Sequence, residues 1–229
     1  MKTIGLIGGL SWESTAVYYR IINEEVRARL GGLHSARIIL YSVDFHEIEQ
    51  CQSNNQWEKA SRILNNAARS LESGGADFFI ICANTMHKVA EQARAGIKIP
   101  FLHLADLTAA EILGRKIKRV GLLGTRYTME EDFYSSRLTG AGLEVIIPRP
   151  EDRQIVNSII FDELCLGRVM DRSREEFMRI IDELQSRGAE AVILGCTEIT
   201  LLVKKESARL PLFDTTYIHA VKAVDYALT

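Results

Sequence analysis

Ser73-Gly74-Gly75-Ala76-Asp77-Phe78-Phe79-Ile80-Ile81-Cys82-Ala83-Asn84-Thr85 joins a glycine turn, a short run of bulky apolar residues and a polar loop. An unbroken apolar run of this length between turn residues is the pattern of a strand buried on both faces. The pattern recurs downstream, where Ser186-Arg187-Gly188-Ala189-Glu190 leads through Ala191-Val192-Ile193-Leu194 into Gly195-Cys196-Thr197-Glu198. Two further pairs keep the same order at a nearly constant offset. Lys2-Thr3-Ile4-Gly5-Leu6-Ile7-Gly8-Gly9 parallels Lys118-Arg119-Val120-Gly121-Leu122-Leu123-Gly124-Thr125, and Ile99-Pro100-Phe101-Leu102 parallels Leu210-Pro211-Leu212-Phe213. Three ordered matches imply a duplicated unit of about a hundred residues, too long for a solenoid repeat.

Apolar runs fall near residues 3 to 7, 37 to 43, 78 to 82, 100 to 104, 119 to 123, 143 to 147, 190 to 194 and 210 to 213, with helix-period stretches between most of them. Strands alternating with helices predict an α/β fold. The expected architecture is two similar open parallel-sheet βα domains related by a pseudo-twofold axis, with the active site in the cleft between them. The first domain is expected over residues 1–102 plus 207–229 and the second over 103–206. In open parallel sheets, ligands bind beyond the carboxyl ends of the strands. Residues 8 to 14, 82 to 87, 125 to 128 and 195 to 198 should therefore line the site.

Composition narrows the function. A chain of 229 residues that is 47% hydrophobic can bury a sizeable core. A net charge of −2 lacks the basic stripe of a nucleic-acid binder, so no nucleic-acid partner is expected. The start of the sequence lacks the pattern of a signal peptide and no stretch is apolar enough to span a bilayer, so a cytosolic protein without a membrane partner is expected. Cys51, Cys82, Cys165 and Cys196 form no CxxC pair, which argues against a zinc site or a disulfide framework. A homodimer is the default expectation for an enzyme of this size.

The strand-end residues carry the candidate chemistry. Gly8-Gly9-Leu10-Ser11 can hold an anion at a helix N-terminus, or can simply allow a tight turn; it is not GxGxxG, and no acidic residue stands where a ribose would need one. Asn84, Thr85 and Thr197 offer amide, hydroxyl and backbone donors for a carboxylate, or act as helix caps. Cys196 begins such a turn, where helix-terminal N–H groups should lower its thiol pKa towards a reactive thiolate, or else it is a buried, inert cysteine. His87, one turn into its segment, either meets the cleft as an acid or satisfies its ring in the core. Cys51 and Cys165 lie in helix-like segments and read as packing residues.

Gly8-Gly9-Leu10-Ser11-Trp12-Glu13-Ser14-Thr15, Asn84-Thr85-Met86-His87 and Gly195-Cys196-Thr197-Glu198 resemble the aspartate/glutamate racemase family over the whole chain. The resemblance implies a cofactor-independent racemase acting on a small amino-acid or dicarboxylate substrate, with no metal. In that family two cysteines, one per half, face opposite sides of the substrate Cα; one removes the proton and the other returns it. Cys196 matches the second. The first stands immediately before Asn-Thr, a position held here by Ala83, and the internal repeat also sets Ala83 opposite Cys196. Cys82, one residue earlier on a strand, should turn away. Three readings are open: Cys196 works with water, His87 or a hydroxyl opposite; Cys82 swings in; or position 83 has been altered to disable turnover. By the same resemblance, Asn84, Thr85, Thr125, Thr128 and Thr197 hold the substrate carboxylate and amine, and Ser11 and Glu198 line the site. Where the family places basic residues for the side-chain carboxylate, this chain reads Asp44-Phe45-His46-Glu47, and Arg126 is the available substitute. Because the superfamily includes decarboxylases and cis-trans isomerases, a single-thiol lyase or isomerase is the nearest rival. A silent amino-acid-binding protein is another.

Overall fold

The computed structural model describes residues 1 to 204 and 208 to 229. The boundary expected between residues 206 and 207 lies outside the described residues. The strands are β1 (Ile4–Gly8), β2 (Ile38–Ser42), β3 (Phe78–Ile81), β4 (Arg119–Gly124), β5 (Glu144–Ile146), β6 (Ala191–Gly195) and β7 (Leu212–Asp214). The helices are α1 (Trp12–Leu30), α2 (Phe45–Ser53), α3 (Trp57–Ser73), α4 (Ala90–Ala93), α5 (Leu104–Gly114), α6 (Arg126–Glu130), α7 (Asp132–Gly140), α8 (Pro150–Ser158), α9 (Asp171–Ser186), α10 (Ile199–Leu202) and α11 (Thr215–Ala227). The chain divides into two compact units, Met1–Leu104 with His219–Thr229, and Ala105–Ile218.

In the first unit, three parallel strands lie in the order β2-β1-β3. Their apolar residues enter two cores. Ile7, Phe79 and Ile81 pack with Leu64, Ala67 and Leu71 of α3, while Ile4, Leu6, Phe78 and Ile80 pack with Tyr18 and Ile22 of α1 and with Ala220, Ala223 and Val224 of α11. Burial on both faces explains why β1 and β3 read as unbroken apolar runs.

The second unit repeats this plan in the order β5-β4-β6-β7. Its main core sets Val192 and Leu194 against Phe177, Ile180, Ile181 and Leu184 of α9.

The internal repeat extends to individual bonds. Gly75 and Gly188 both adopt positive φ at the turn before a strand. The following backbone N–H groups of Asp77 and Glu190 each donate at 2.9 Å, to the carbonyls of Thr3 and Arg119. The two carboxylates accept in return, Asp77 from the Thr3 N–H and Glu190 from those of Lys118 and Arg119.

Two details differ from the sequence expectations. The run at 100 to 104 forms only a single parallel bridge, Phe79 to Phe101, where its counterpart forms β7. Because β7 pairs with β6, residues 208 to 218 stay with the second sheet, and the chain returns to the first unit at His219. No helix among the described residues is long and apolar enough to cross a membrane.

Candidate active site

The carboxyl ends of β1 and β3 carry the first group of site residues. Gly9 has φ +77°, and a Cβ there would fall 2.1 Å from the Val43 carbonyl oxygen, so only glycine fits this turn. Ser11 adopts φ +125°, a conformation other residues rarely hold, and caps α1 by accepting from the Ser14 N–H at 3.2 Å. Backbone strain of this kind concentrates at functional sites. Its hydroxyl also donates to Glu13 Oε2 at 3.0 Å.

Past the end of β3, Ala83 is half-buried and Asn84 is buried. Asn84 Oδ1 meets no hydrogen-bond partner among the described residues. A buried amide oxygen left unpaired is costly, which suits a group that a ligand satisfies. Thr85 is half-buried at the start of a 3-10 turn, Thr85–Val89. Cys82 is fully buried in the core with Ile4, Leu6 and Tyr18, and burial pushes its thiol pKa up. It faces away from the strand-end loop, as the strand alternation implied.

His87 does not stand open to a ligand. It is 3% exposed, with Nδ1 2.7 Å from the Ala83 carbonyl oxygen and Nε2 accepting from the Leu104 N–H at 3.3 Å. With both nitrogens engaged inside the first unit, the expected role of acid has no ring proton to offer.

The carboxyl ends of β4 and β6 carry the second group. Thr125 caps α6, accepting from the Thr128 N–H at 3.4 Å with the two hydroxyls 3.3 Å apart. Thr128 is fully buried beneath Gly124 and Gly195, where a Cβ on either glycine would lie 3.0 or 3.1 Å from its side chain. Thr197 and Glu198 are half-buried. Arg126 is exposed, its guanidinium 5.5 Å from the centre of the Tyr127 ring.

Cys196 is 9% exposed and its thiol donates to Glu198 Oε2 at 2.9 Å. Its pKa is raised, first by burial and then by the Glu198 carboxylate. This reverses the lowered value expected from the turn. Only the four residues of α10 follow, and burial of the sulfur together with a full negative charge beside it outweighs the partial charges of so short a helix. A further contribution comes from Cys165, which is exposed rather than packed as the sequence suggested. Glu198 as the thiol's partner and Cys165 as a neighbour were both missed at the sequence level. The i, i+2 spacing of Cys196 and Glu198 was the available signal for the first.

Strand register aligns the two groups. Ile7 pairs with Ile81 in the first sheet and Leu123 with Leu194 in the second. Counting two residues beyond Ile81 and Leu194 gives Ala83 and Cys196. Among the described residues no cluster of histidine, cysteine or carboxylate side chains could hold a metal ion.

A profile of the Asp/Glu/hydantoin racemase family matches residues 7–223. The chain belongs to this racemase family. It is 24% identical over 218 residues to the broad specificity amino-acid racemase RacX of Bacillus subtilis, covering 93% of this chain and 92% of that protein. Among solved structures, a Yersinia pestis protein provisionally assigned as an Asp/Glu racemase superposes with a TM-score of 0.96 at 56% identity, with complete coverage of both chains. An aspartate racemase homologue from Pyrococcus horikoshii superposes with a TM-score of 0.89 at 38% identity, again over all of both chains. In this chain of the racemase family, the Cys196 thiol donates to the Glu198 carboxylate, and Asn84 Oδ1 is left without a partner among the described residues.

Proposed function

We propose that the chain is a cofactor-independent racemase of acidic amino acids, working in the cytosol as a homodimer, in which Cys196 exchanges the proton at the substrate Cα. The hydrogen bond from the Cys196 thiol to Glu198, at the strand end equivalent to Ala83, carries this reading. Passing the thiol proton to Glu198 generates a thiolate. That thiolate removes the Cα proton and becomes a thiol again, while the electron pair left on Cα spreads into the adjacent carboxylate. Asn84, Thr85, Thr125 and Thr197, with Ser11 at the rim, hold the substrate's carboxylate and amine, and Thr128 supports Thr125 from beneath. Because the Ala83 methyl has no proton to give, water delivers the proton from the opposite face, and the hydroxide it leaves takes up, through solvent, the proton held on Glu198, restoring the carboxylate and a water. Exchange through Cys196 is therefore faster than inversion.

Incubating the protein with L- and D-aspartate or glutamate in deuterium oxide tests this directly. Deuterium should enter Cα faster than optical purity falls, and Cys196→Ser should abolish both. Ala83→Cys should raise inversion towards the rate of exchange. No Cα exchange with any acidic amino acid sinks the racemase reading.

A single-thiol lyase or isomerase is favoured by one observation: Cys82 is sealed in the core and Ala83 offers no thiol, so Cys196 stands alone at the aligned strand ends. That reading is supported if the substrate is consumed to a new product without Cα exchange.

A further inference from the structure

His87 uses every polar atom of its ring within the first unit. A carbonyl oxygen only accepts and a backbone N–H only donates, so the bonds to Ala83 and Leu104 fix the proton on Nδ1 and the lone pair on Nε2. The ring is therefore a neutral imidazole of one tautomer, assigned from its partners. The backbone N–H of His87 also donates to the Asn84 carbonyl at 3.0 Å. One residue thus fixes two consecutive carbonyls, those of Ala83 and Asn84. The turn they form presents the Asn84 amide, whose oxygen is unsatisfied.

On its other side the ring caps a helix. Leu104 is the first residue of α5, where backbone N–H groups have no acceptor within the helix. From Ala105 onward α5 belongs to the second unit. The ring also lies against His103 and His219, with centroids 4.6 and 5.8 Å away. His219, where the chain returns to the first unit, donates from Nε2 to the Leu102 carbonyl at 2.9 Å and accepts at Nδ1 from the Tyr18 hydroxyl at 3.0 Å.

We propose that His87 is a positioning residue for the reaction: its Nδ1–H holds the Ala83-Asn84 turn in place while Nε2 anchors the start of α5. This rests on the racemase reading for its kinetic consequence, and it separates the two ring atoms into two measurable jobs. Asparagine places an amide N–H near Nδ1 and leaves Leu104 uncapped; glutamine places an acceptor near Nε2 and leaves the Ala83 carbonyl unheld. His87→Asn should keep kcat within about threefold of the parent yet melt several degrees lower, whereas His87→Gln should keep most of the melting temperature and lose about tenfold to a hundredfold in kcat. A merely structural histidine would instead make kcat losses track the melting temperature in both variants, which would overturn the proposal. Ring nitrogen shifts of the 15N-labelled wild-type protein give a readout independent of turnover. They should report a neutral Nδ1–H tautomer at pH 7; an Nε2–H tautomer or an imidazolium would refute the assignment even if the protein racemises nothing.

Discussion

Replacing Glu198 by glutamine should raise the thiolate fraction of Cys196, while burial continues to hold its pKa up. The sulfur and Glu198 Oε2 are 2.9 Å apart, a separation at which two unit charges repel by about 1.4 kcal/mol in bulk water and about 6 kcal/mol at an effective dielectric of 20. A site that is 9% exposed lies between these limits, so the smaller figure is a floor. The sign follows from the charge. The carboxylate disfavours the thiolate, and below its titration point the thiolate fraction rises as the pKa falls, so glutamine increases that fraction at any given pH. The floor corresponds to about a tenfold rise. Iodoacetamide labelling followed by peptide mass spectrometry measures it, in a Cys165→Ser background because Cys165 is exposed, while Cys51 and Cys82 are fully buried. Labelling of Cys196 at pH 8 should be about ten times faster or more in Glu198→Gln, with Cα exchange reduced because the proton acceptor is gone. Equal or slower labelling would refute the pairing of thiol and carboxylate.

Other expectations follow from packing and burial. Gly9→Ala forces a Cβ to 2.1 Å from the Val43 carbonyl at a positive φ and should cost about 3 kcal/mol, read as an early-melting transition. Gly195→Ala puts a Cβ 2.9 Å from the Leu123 carbonyl and displaces the residue before Cys196; Cα exchange should fall about tenfold, while Gly140→Ala, with open space around it, should leave it unchanged. Burial holds the His219 imidazole down to about 4 from an ordinary 6.5. The unfolded chain therefore binds the proton first. About 3 kcal/mol of stability, complete above about pH 6.5, should drain away as pH falls to about 4, and His219→Gln should remove that slope in denaturant titrations.

The strands were legible because burial on both faces writes unbroken apolar runs into the sequence, and the duplication was legible because the turns before β3 and β6 both read Gly-Ala-Asp/Glu. The run at 100 to 104 misled because apolar content does not distinguish a strand from the approach to a helix. The internal repeat sets Ala83 opposite Cys196 in the sequence, and each follows its strand two residues beyond the paired positions Ile81 and Leu194. The electrostatics of Cys196 were not legible: burial of the sulfur, the larger cause, and Glu198 folding back onto it both raise its pKa, and neither is written in the local sequence. The engagement of His87 was hidden for a different reason, because Leu104 lies 17 residues away and no local pattern records that bond.

The C-terminal helix α11 begins in the second unit and supplies Ala220, Ala223, Val224 and Ala227 to one face of the first sheet. Until residues 219 to 227 have been synthesised, Ile4, Leu6, Phe78 and Ile80 have Tyr18 and Ile22 of α1 on that side but lack the share of the core that α11 supplies. The core of the first sheet is therefore completed only by residues that come far later in the chain, after the whole second sheet.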